Sequence, residues 1–436
     1  MQFRATKYHE PHVSFKDVVL RCLPSGGGLY VPSSVMDMRQ LFLPMDEGAS
    51  FHDLVAVTAP PLLQGTLNSF SAARVAESAL DFEPELKQLD EKFSALVLHN
   101  GPTGNYKDFG IGFLAAVLEE LLKNNRKAMI VSTAMGNSGV SLGRAFGGRR
   151  GLTSVMLYPS GPIRGLDSAS FVTNGGNIVP IQIEGSLDDC QRLRNEIIND
   201  PPFAQRYNIT SANAINLGRL LPQAFYYLYA YVKLKKRAHG GLVFSVPSGN
   251  FGNLVSGLYA WQFGLPVSGF IAAMNANNAL GSFFLGGEFE PRPVSATNSP
   301  AMDVSVPSNY ARLGSFYHEA PAVMRNMVFP ASVDDAKTVK AMEQAWKQYS
   351  LALDPHSAVA FAAARDFAGS GRVAPGAHIV VLATGHPAKE ADAVKAATGQ
   401  AVPLPEKLSL LEKEARPIAV VKPHLDALEN VIASCC

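Results

Sequence analysis

Lys107 is the residue of this sequence whose type and position offer the most reactive chemistry. It follows a run of small and polar residues at 101–106 and opens a predicted helix that extends from about residue 108 to residue 124. The N-terminal end of a helix is electropositive, so a lysine cation is disfavoured there and the neutral amine is easier to reach. A neutral amine can form an imine with an aldehyde cofactor. An ordinary solvated lysine would show the same pattern, so Lys107 needs support from other parts of the chain.

A glycine-rich loop directly follows the predicted strand at 242–248 and precedes an apolar helix. Small residues let the backbone approach an anion closely, and the N–H groups at a helix start point toward it. The loop matches neither the nucleoside-triphosphate P-loop nor the dinucleotide fingerprint, which disfavours both of those ligands. An ordinary tight turn is the alternative interpretation. The candidate phosphate-binding residues are Gly249, Asn250, Phe251, Gly252 and Asn253.

Two further strand ends carry polar residues that can contact a ligand. Asn137, Ser138 and Gly139 follow the predicted strand at 128–133, where they can bind an anion, although a helix N-cap would look the same. Thr384 ends the predicted strand at 378–384, and its hydroxyl can hydrogen-bond a ligand or serve structure alone. His386 has no Cys, Asp or His at metal-ligand spacing, so we expect no metal site.

The elements that must position these residues alternate between short apolar strands and amphipathic helices. Continuous apolar runs indicate strands that are buried on both faces, as in a parallel sheet. A stripe of apolar residues between 113 and 122 predicts the helix after Lys107, and a second, aromatic helix is predicted over 217–234. This alternation predicts an open α/β fold. The strand runs are 128–133, 154–160, 178–183, 242–248, 270–274 and 378–384.

Composition bounds the size and the partners of the protein. The chain has 436 residues, of which 47% are hydrophobic, and is long enough for two or three domains. Its net charge is +1, so we expect no nucleic-acid partner, and it shows neither a secretory signal nor a membrane span. Cys22 and Cys190 are isolated and Cys435 and Cys436 are adjacent, which suits neither a disulfide framework nor a metal site. We therefore expect a cytoplasmic protein.

The chain divides into three predicted parts. Residues 1–80 contain a glycine turn and a short strand but lack the regular alternation, so we expect a separate N-terminal domain that covers the edge of the main fold. Residues 90–390 hold the catalytic α/β region, and residues 391–436 form a C-terminal tail to which we assign no role.

Taken together, these blocks resemble threonine synthase, a family of fold-type II, tryptophan-synthase-β-like enzymes that use pyridoxal 5'-phosphate. The resemblance covers most of the chain, with six blocks in the family's order. It implies two open α/β domains with the cofactor between them and a small N-terminal domain. The blocks that carry it lie at 27–32, 101–110, 211–220, 245–253, 301–309 and 383–390.

The resemblance also implies a role for each matching residue. Lys107 would carry the cofactor as a Schiff base and move protons, while Thr384 would contact the pyridine nitrogen and Asn137 the 3-hydroxyl. Ser138 and Gly139 would receive the substrate carboxylate, and the loop residues Gly249, Asn250, Phe251, Gly252 and Asn253 would hold the cofactor phosphate. Arg219 and Arg312 match basic positions and are candidates for the substrate's phosphate, which arginine binds bidentately. The implied reaction converts O-phospho-L-homoserine and water into L-threonine and phosphate, in a monomer or a homodimer.

Three features depart from the family pattern. Gly104, Asn105 and Tyr106 replace the usual apolar residues before the lysine, Asn100 separates His99 from the motif, and Met135 and Asn137 replace a Ser and an Asp. The alternative functions are a phospho-lyase that releases 2-oxobutyrate, a serine or threonine dehydratase, and an inactive binding protein that kept the fold.

Overall fold

The computed structural model places the predicted strands in two mainly parallel sheets. It describes residues 1–7, 10–123, 127–134, 136–160, 162–163, 166–167, 175–409 and 417–435, so Met135 and Cys436 lie outside the described residues. The strands in chain order are β1 (Gln2–Ala5), β2 (Val13–Ser14), β3 (Tyr30–Pro32), β4 (Glu85–Gln88), β5 (Phe93–Val97), β6 (Ala128–Thr133), β7 (Leu152–Pro159), β8 (Pro162–Ile163), β9 (Leu166–Asp167), β10 (Ile178–Ile183), β11 (Ile209–Thr210), β12 (Leu242–Pro247), β13 (Gly269–Met274), β14 (Val328–Ser332), β15 (His378–Ala383) and β16 (Ala419–Val421).

Helices connect these strands and cover both sheets. The described residues also form short 3-10 turns at Leu221–Gln223, Pro300–Met302 and Pro387–Glu390. The helices in chain order are α1 (Phe15–Arg21), α2 (Arg39–Phe42), α3 (Phe51–Leu63), α4 (Ser69–Ala79), α5 (Lys107–Leu121), α6 (Asn137–Phe146), α7 (Leu187–Ile198), α8 (Pro201–Tyr207), α9 (Leu217–Leu220), α10 (Ala224–Leu234), α11 (Gly252–Gln262), α12 (Gly281–Phe284), α13 (Tyr310–Glu319), α14 (Pro321–Met327), α15 (Asp335–Tyr349), α16 (Pro355–Gly369), α17 (Ala391–Thr398), α18 (Glu406–Ser409) and α19 (Leu425–Cys435).

The strand order confirms the predicted α/β fold. The larger sheet has the order β14-β13-β12-β15-β5-β4, and its neighbours pair in parallel except for the antiparallel edge strand β4. The second sheet has the order β11-β6-β7-β10-β16 and is parallel throughout. Every residue of β5, β6, β13 and β15 is buried, which explains the continuous apolar runs of these strands.

The aromatic helix predicted over 217–234 differs from the observed structure in one respect. It consists of α9, the 3-10 turn Leu221–Gln223 and α10. Pro222 stands in the middle of this turn. A proline has no backbone N–H and its ring clashes with the preceding turn of an α-helix, so the segment changes its winding there.

The N-terminal segment packs against the elements that carry the candidate site. Strands β1, β2 and β3 form a small antiparallel sheet, and α1 contacts β11, the edge strand of the second sheet. Further along, Phe51 of α3 meets Phe109 of α5 edge to face, with ring centroids 5.5 Å apart. The helix that begins at Lys107 therefore shares its apolar core with the N-terminal helices.

The C-terminal segment has a structural role that the sequence analysis did not assign. Strand β16 adds a parallel edge strand beside β10, and α19 packs against α7. None of the helices within the described ranges is long and apolar enough to span a bilayer.

Candidate active site

The loop before Lys107 is joined to the end of strand β15 by backbone hydrogen bonds. The Tyr106 N–H donates to the Thr384 carbonyl at 3.0 Å, and the His386 N–H donates to the Gly104 carbonyl at 2.9 Å. Gly104 has φ +67°, and a Cβ atom there would lie 2.9 Å from the Leu408 side chain, so the loop requires a residue without one. These contacts place the candidate lysine beside the candidate threonine.

A buried carboxylate fixes the start of helix α5. Asp108 accepts hydrogen bonds from the Thr103 N–H at 2.8 Å, the Thr103 hydroxyl at 2.5 Å and the Ser141 hydroxyl at 2.8 Å. The Asn105 amide donates to both hydroxyls, at 2.7 and 3.0 Å. Lys389 donates to the Thr103 carbonyl at 2.8 Å. Because Ser141 belongs to α6, this network ties the lysine loop to the helix that begins at Asn137.

Lys107 lies in an environment that favours its neutral amine. Burial, together with the positive charges of Arg219 and Lys389, lowers the pKa of Lys107 to about 7, while Asp108 acts in the opposite direction. A buried ammonium loses hydration that the protein does not replace, so desolvation dominates. The amine can therefore act as a nucleophile or a base near neutral pH.

The glycine loop after β12 has the close packing and the free donors of an anion site. A Cβ atom on Gly249 would lie 2.4 Å from the Met302 Cα, and Phe251 adopts the left-handed conformation with φ +58°. Helix α11 starts at Gly252 without a side-chain cap. The buried Asn253 accepts hydrogen bonds from two tyrosine hydroxyls, but its Nδ2 has no partner in the described residues. A buried donor without a partner indicates a ligand, because leaving it unsatisfied is costly.

These loops meet at one cavity of about 760 Å³. The N-terminal glycine turn also contributes to its wall, through Gly27 and Gly28. Ten of the twelve predicted site residues line the cavity, namely Lys107, Asn137, Ser138, Arg219, Gly249, Asn250, Phe251, Gly252, Asn253 and Thr384.

Comparison with known proteins decides the family. Residues 84–385 match the family model for pyridoxal-phosphate dependent enzymes, residues 2–69 the model for the threonine synthase N terminus, and residues 357–432 the model for the threonine synthase C-terminal region. The threonine synthase of Serratia marcescens is 34% identical over 418 residues, which cover 94% of each chain. The chain belongs to the threonine synthase family.

Solved structures of threonine synthases agree with this assignment. The crystal structure of the Escherichia coli threonine synthase has a TM-score of 0.88 at 30% identity and covers 100% of both chains. A threonine synthase from Brucella melitensis, solved with bound pyridoxal phosphate, has a TM-score of 0.87 at 29% identity and covers 100% of this chain and 99% of its own. The predicted family, fold-type II architecture and pyridoxal-phosphate cofactor are thus confirmed, and the protein is a lyase of the threonine synthase type.

Two residues of the threonine synthase motifs do not line the cavity. The Gly139 N–H donates to the Gly136 carbonyl at 3.1 Å, because Gly139 lies in the first turn of α6. Arg312 is fully buried, and its guanidinium donates four hydrogen bonds, to the carbonyls of Tyr30, Ala214 and Ile215 and to the Asn309 side chain, at 2.6 to 3.0 Å. With its donors used in this way, Arg312 joins β3, α13 and the segment before α9, and it is not available to a substrate phosphate in this arrangement.

Arg219 does line the cavity, and its charge has no carboxylate partner among the described residues. It is 4% exposed, donates from Nη1 to the Ala212 carbonyl at 2.9 Å and has no partner for Nε in the described residues. Burial lowers the pKa of Arg219 to about 10, so the side chain stays charged at neutral pH. A buried cation with a free N–H at a cavity wall suits an anionic ligand.

The sequence analysis missed a second buried arginine, Arg194 of α7. It is 4% exposed and lines the cavity, and within the described part of the chain its hydrogen bonds go only to the side-chain oxygens of Asn213 and Asn195, at 2.8 to 3.1 Å. Burial lowers the pKa of Arg194 to about 10. Its position in an amphipathic helix gives no sequence signal, since an arginine there is typical of a solvated face.

A buried histidine–aspartate pair was also missed. His356 hydrogen-bonds Asp354 through Nδ1 at 2.8 Å, and its Nε2 accepts from the Ala301 N–H at 3.1 Å, which assigns the proton to Nδ1. Burial would raise the pKa of Asp354, but hydrogen bonds from His356 and Ser357 outweigh it and hold this pKa below its ordinary value. In sequence, Asp-Pro at this position indicates only a capped helix start.

Lys389 offers a test of what keeps Lys107 neutral. Replacing Lys389 by methionine removes a positive charge that lowers the pKa of Lys107, so we expect this pKa to rise above about 7. Below its pKa the amine is protonated and unreactive, so the pH midpoint for imine formation between apo-protein and pyridoxal phosphate should move to higher pH. Lys407→Met is the matched control, because Lys407 also donates to a loop carbonyl, that of Asn100. An unchanged midpoint in the Lys389 variant, or an equal shift in the control, would contradict the expectation.

Proposed function

We propose that this cavity holds pyridoxal phosphate on Lys107 and converts O-phospho-L-homoserine and water into L-threonine and phosphate. The observation that carries the assignment is the meeting of Lys107, with its lowered pKa, and an uncapped glycine loop in one cavity. The membership in the threonine synthase family supports the substrate.

The residues present fit the cofactor. The backbone of Gly249–Asn253 and the free Nδ2 of Asn253 form a cradle for its phosphate, and Gly249 leaves no space for a side chain. Thr384 takes the pyridine nitrogen and Asn137 the 3-hydroxyl. When bound, pyridoxal phosphate supplies an electron sink for charge that develops at the substrate Cα. Because a neutral hydroxyl cannot stabilise a pyridinium as a carboxylate would, Thr384 keeps this sink moderate.

Lys107 moves the protons of the reaction. Once the substrate amine has displaced it, its amine is free to take the proton from Cα and to exchange protons at Cβ and Cγ. A pKa of about 7 makes both protonation states accessible near neutral pH. Phosphate leaves from Cγ, water adds at Cβ, and Lys107 returns a proton to Cα.

The substrate's two anionic groups need separate partners. We assign its carboxylate to Ser138, in the first turn of α6 at the cavity wall where no side chain caps the helix, while Asn137 keeps the 3-hydroxyl. We assign its phosphate to Arg194, whose neighbours Gln191 and Asn195 also line the cavity and can donate hydrogen bonds to phosphate oxygens. Arg219, whose charge acts on Lys107, adds positive charge near the glycine loop, where the cofactor phosphate binds.

The remaining assignments concern the whole protein. We propose an N-terminal domain of residues 1–80, a catalytic region of residues 90–390 and a C-terminal segment of residues 391–436, in a cytoplasmic monomer or homodimer without a nucleic-acid partner. The near-zero net charge supports the last point. Size-exclusion chromatography with light scattering measures the oligomeric state.

A product assay tests the proposed reaction. We expect the purified holoenzyme to release threonine and phosphate from O-phosphohomoserine in equal amounts. The assay should also quantify 2-oxobutyrate and ammonia, which a phospho-lyase would release instead. If 2-oxobutyrate were the main product, the protein would be a phospho-lyase and not a synthase. If the protein formed no imine with pyridoxal phosphate, the inactive binding protein would be the remaining alternative.

A further inference from the structure

Tyr106 places a phenol hydroxyl at the cavity directly before Lys107. Its ring packs against the largest apolar cluster, and its side chain lines the cavity. Its backbone N–H is fixed to the Thr384 carbonyl at 3.0 Å. Its hydroxyl makes no hydrogen bond to any part of the chain that the structure describes. The hydroxyl is also absent from the buried atoms without a partner, so it is open to the cavity, where a ligand can accept its proton.

Two residues that line the cavity with Tyr106, namely Arg219 and Asn253, each have a side-chain N–H without an acceptor in the described residues. Arg219, whose Nε has no partner, is the one charged group that affects the pKa of Tyr106, which burial raises. Tyr106 in turn acts on the two tyrosines, Tyr226 and Tyr227, whose hydroxyls both donate to the Asn253 Oδ1 at 2.7 Å. This leaves the Asn253 Nδ2 without a partner. Tyr106, Arg219 and Asn253 thus all line the cavity, and each carries a donor that has no partner among the described residues.

These donors match a phosphate monoester, which offers only acceptors. A raised pKa keeps the Tyr106 phenol protonated at neutral pH, so it can donate but does not repel an anion. The backbone amides of the glycine loop lie beside Asn253, because Asn253 belongs to the first turn of α11. The acceptor is therefore the phosphate that this loop binds.

We propose that the Tyr106 hydroxyl, beside the free Nε of Arg219, donates a hydrogen bond to the phosphate of pyridoxal phosphate. This inference rests on the proposed function, in which residues 249–253 hold that phosphate. It makes the residue before the lysine a second attachment for the cofactor. Tyr106, which departs from the apolar pattern of the family, would thereby help to hold the cofactor phosphate.

Binding of two cofactor forms to Tyr106→Phe tests the proposal. Apo-protein is titrated with pyridoxal phosphate and, separately, with pyridoxal, which lacks the phosphate, and imine absorbance reports the binding of each. We expect the Kd for pyridoxal phosphate to rise by about tenfold, the loss of one charge-assisted hydrogen bond, and the Kd for pyridoxal to stay unchanged. The ³¹P resonance of bound pyridoxal phosphate should also shift.

Tyr259→Phe is the matched control. Tyr259 is a buried tyrosine of α11 whose hydroxyl likewise has no partner in the described residues, but it does not line the cavity. We expect this variant to bind both cofactor forms as the wild type does.

Other outcomes would overturn the proposal in distinct ways. Equal weakening of both cofactor forms would give Tyr106 a steric role only. Unchanged cofactor affinity with a raised Kd of the holoenzyme for inorganic phosphate would assign the hydroxyl to the substrate's phosphate. Failure of the wild-type protein to form an imine would instead refute the proposed function itself.

Discussion

Replacement of Lys107 by alanine is expected to remove the imine absorbance and to abolish threonine formation. The variant loses both the amine that holds the cofactor and the base that moves the protons. Proton transfer by a positioned side chain contributes about 10²- to 10⁴-fold to a rate, and the loss of cofactor attachment adds to this. We therefore expect kcat to fall by at least about 10⁴-fold, measured as phosphate release from O-phosphohomoserine.

The fold of this variant should be preserved or even stabilised. Burial lowers the pKa of Lys107 to about 7, so the ordinary protonated lysine is destabilised inside the protein. A group whose pKa is lower in the folded state costs stability at every pH below its unfolded-state pKa, fully below the folded pKa and progressively less between the two values. Compared as apo-proteins, Lys107→Ala should thus unfold at an equal or higher temperature than the wild type at pH 6, and the difference should shrink toward pH 10. Lys347→Ala, at an exposed lysine of α15, controls for the loss of a surface charge. If the Lys107 variant retained the imine absorbance, the cofactor would have to be attached to another amine, and the assignment of Lys107 would be wrong.

The fold could be predicted from the sequence because strands that are buried on both faces appear as continuous apolar runs. Strands such as β6 and β15 are buried along their whole length, so a continuous apolar run marks them. The strand β16 escaped prediction because it is a short edge strand with a partly exposed surface. Its pairing with β10 joins residues that lie more than 200 positions apart, which no local pattern can reveal.

The reactive state of Lys107 shows what sequence reasoning about the site can and cannot provide. The helix start correctly drew attention to the lysine, but the dipole effect is a small one. The larger cause is burial, with help from Arg219 and Lys389, and these residues lie more than 100 positions away. Motif spacing likewise brought Arg219 and Arg312 to attention as equals, whereas only their hydrogen bonds distinguish a residue at the cavity from one inside the protein.

The buried arginines provide the second prediction, since the same substitution should have opposite effects at two positions. Arg194→Met is expected to fold normally and to raise the KM for O-phosphohomoserine by about 10- to 100-fold, the contribution of charge-assisted hydrogen bonds to a phosphate. Stability should be kept because the hydrogen bonds of Arg194 to described residues go only to the side-chain amides of Asn195 and Asn213. Those amides border the cavity and can turn to water, while a methionine avoids the cost of burying a charge.

Arg312→Met is the matched comparison, and we expect it to lose stability while its KM stays normal. It leaves the buried carbonyls of Tyr30 and Ile215 and the part-buried carbonyl of Ala214 without their donor, and each buried unsatisfied group costs about 1–3 kcal/mol. We expect the free energy of unfolding to fall by about 3 kcal/mol or more in urea titrations, while the folded fraction keeps a normal KM. If Arg312→Met instead raised KM without loss of stability, the substrate phosphate would have to reach Arg312 by a rearrangement of α13. If Arg194→Met lost stability and left KM unchanged, Arg194 would be a structural residue and Arg219 would be the remaining buried arginine at the cavity for the substrate's phosphate.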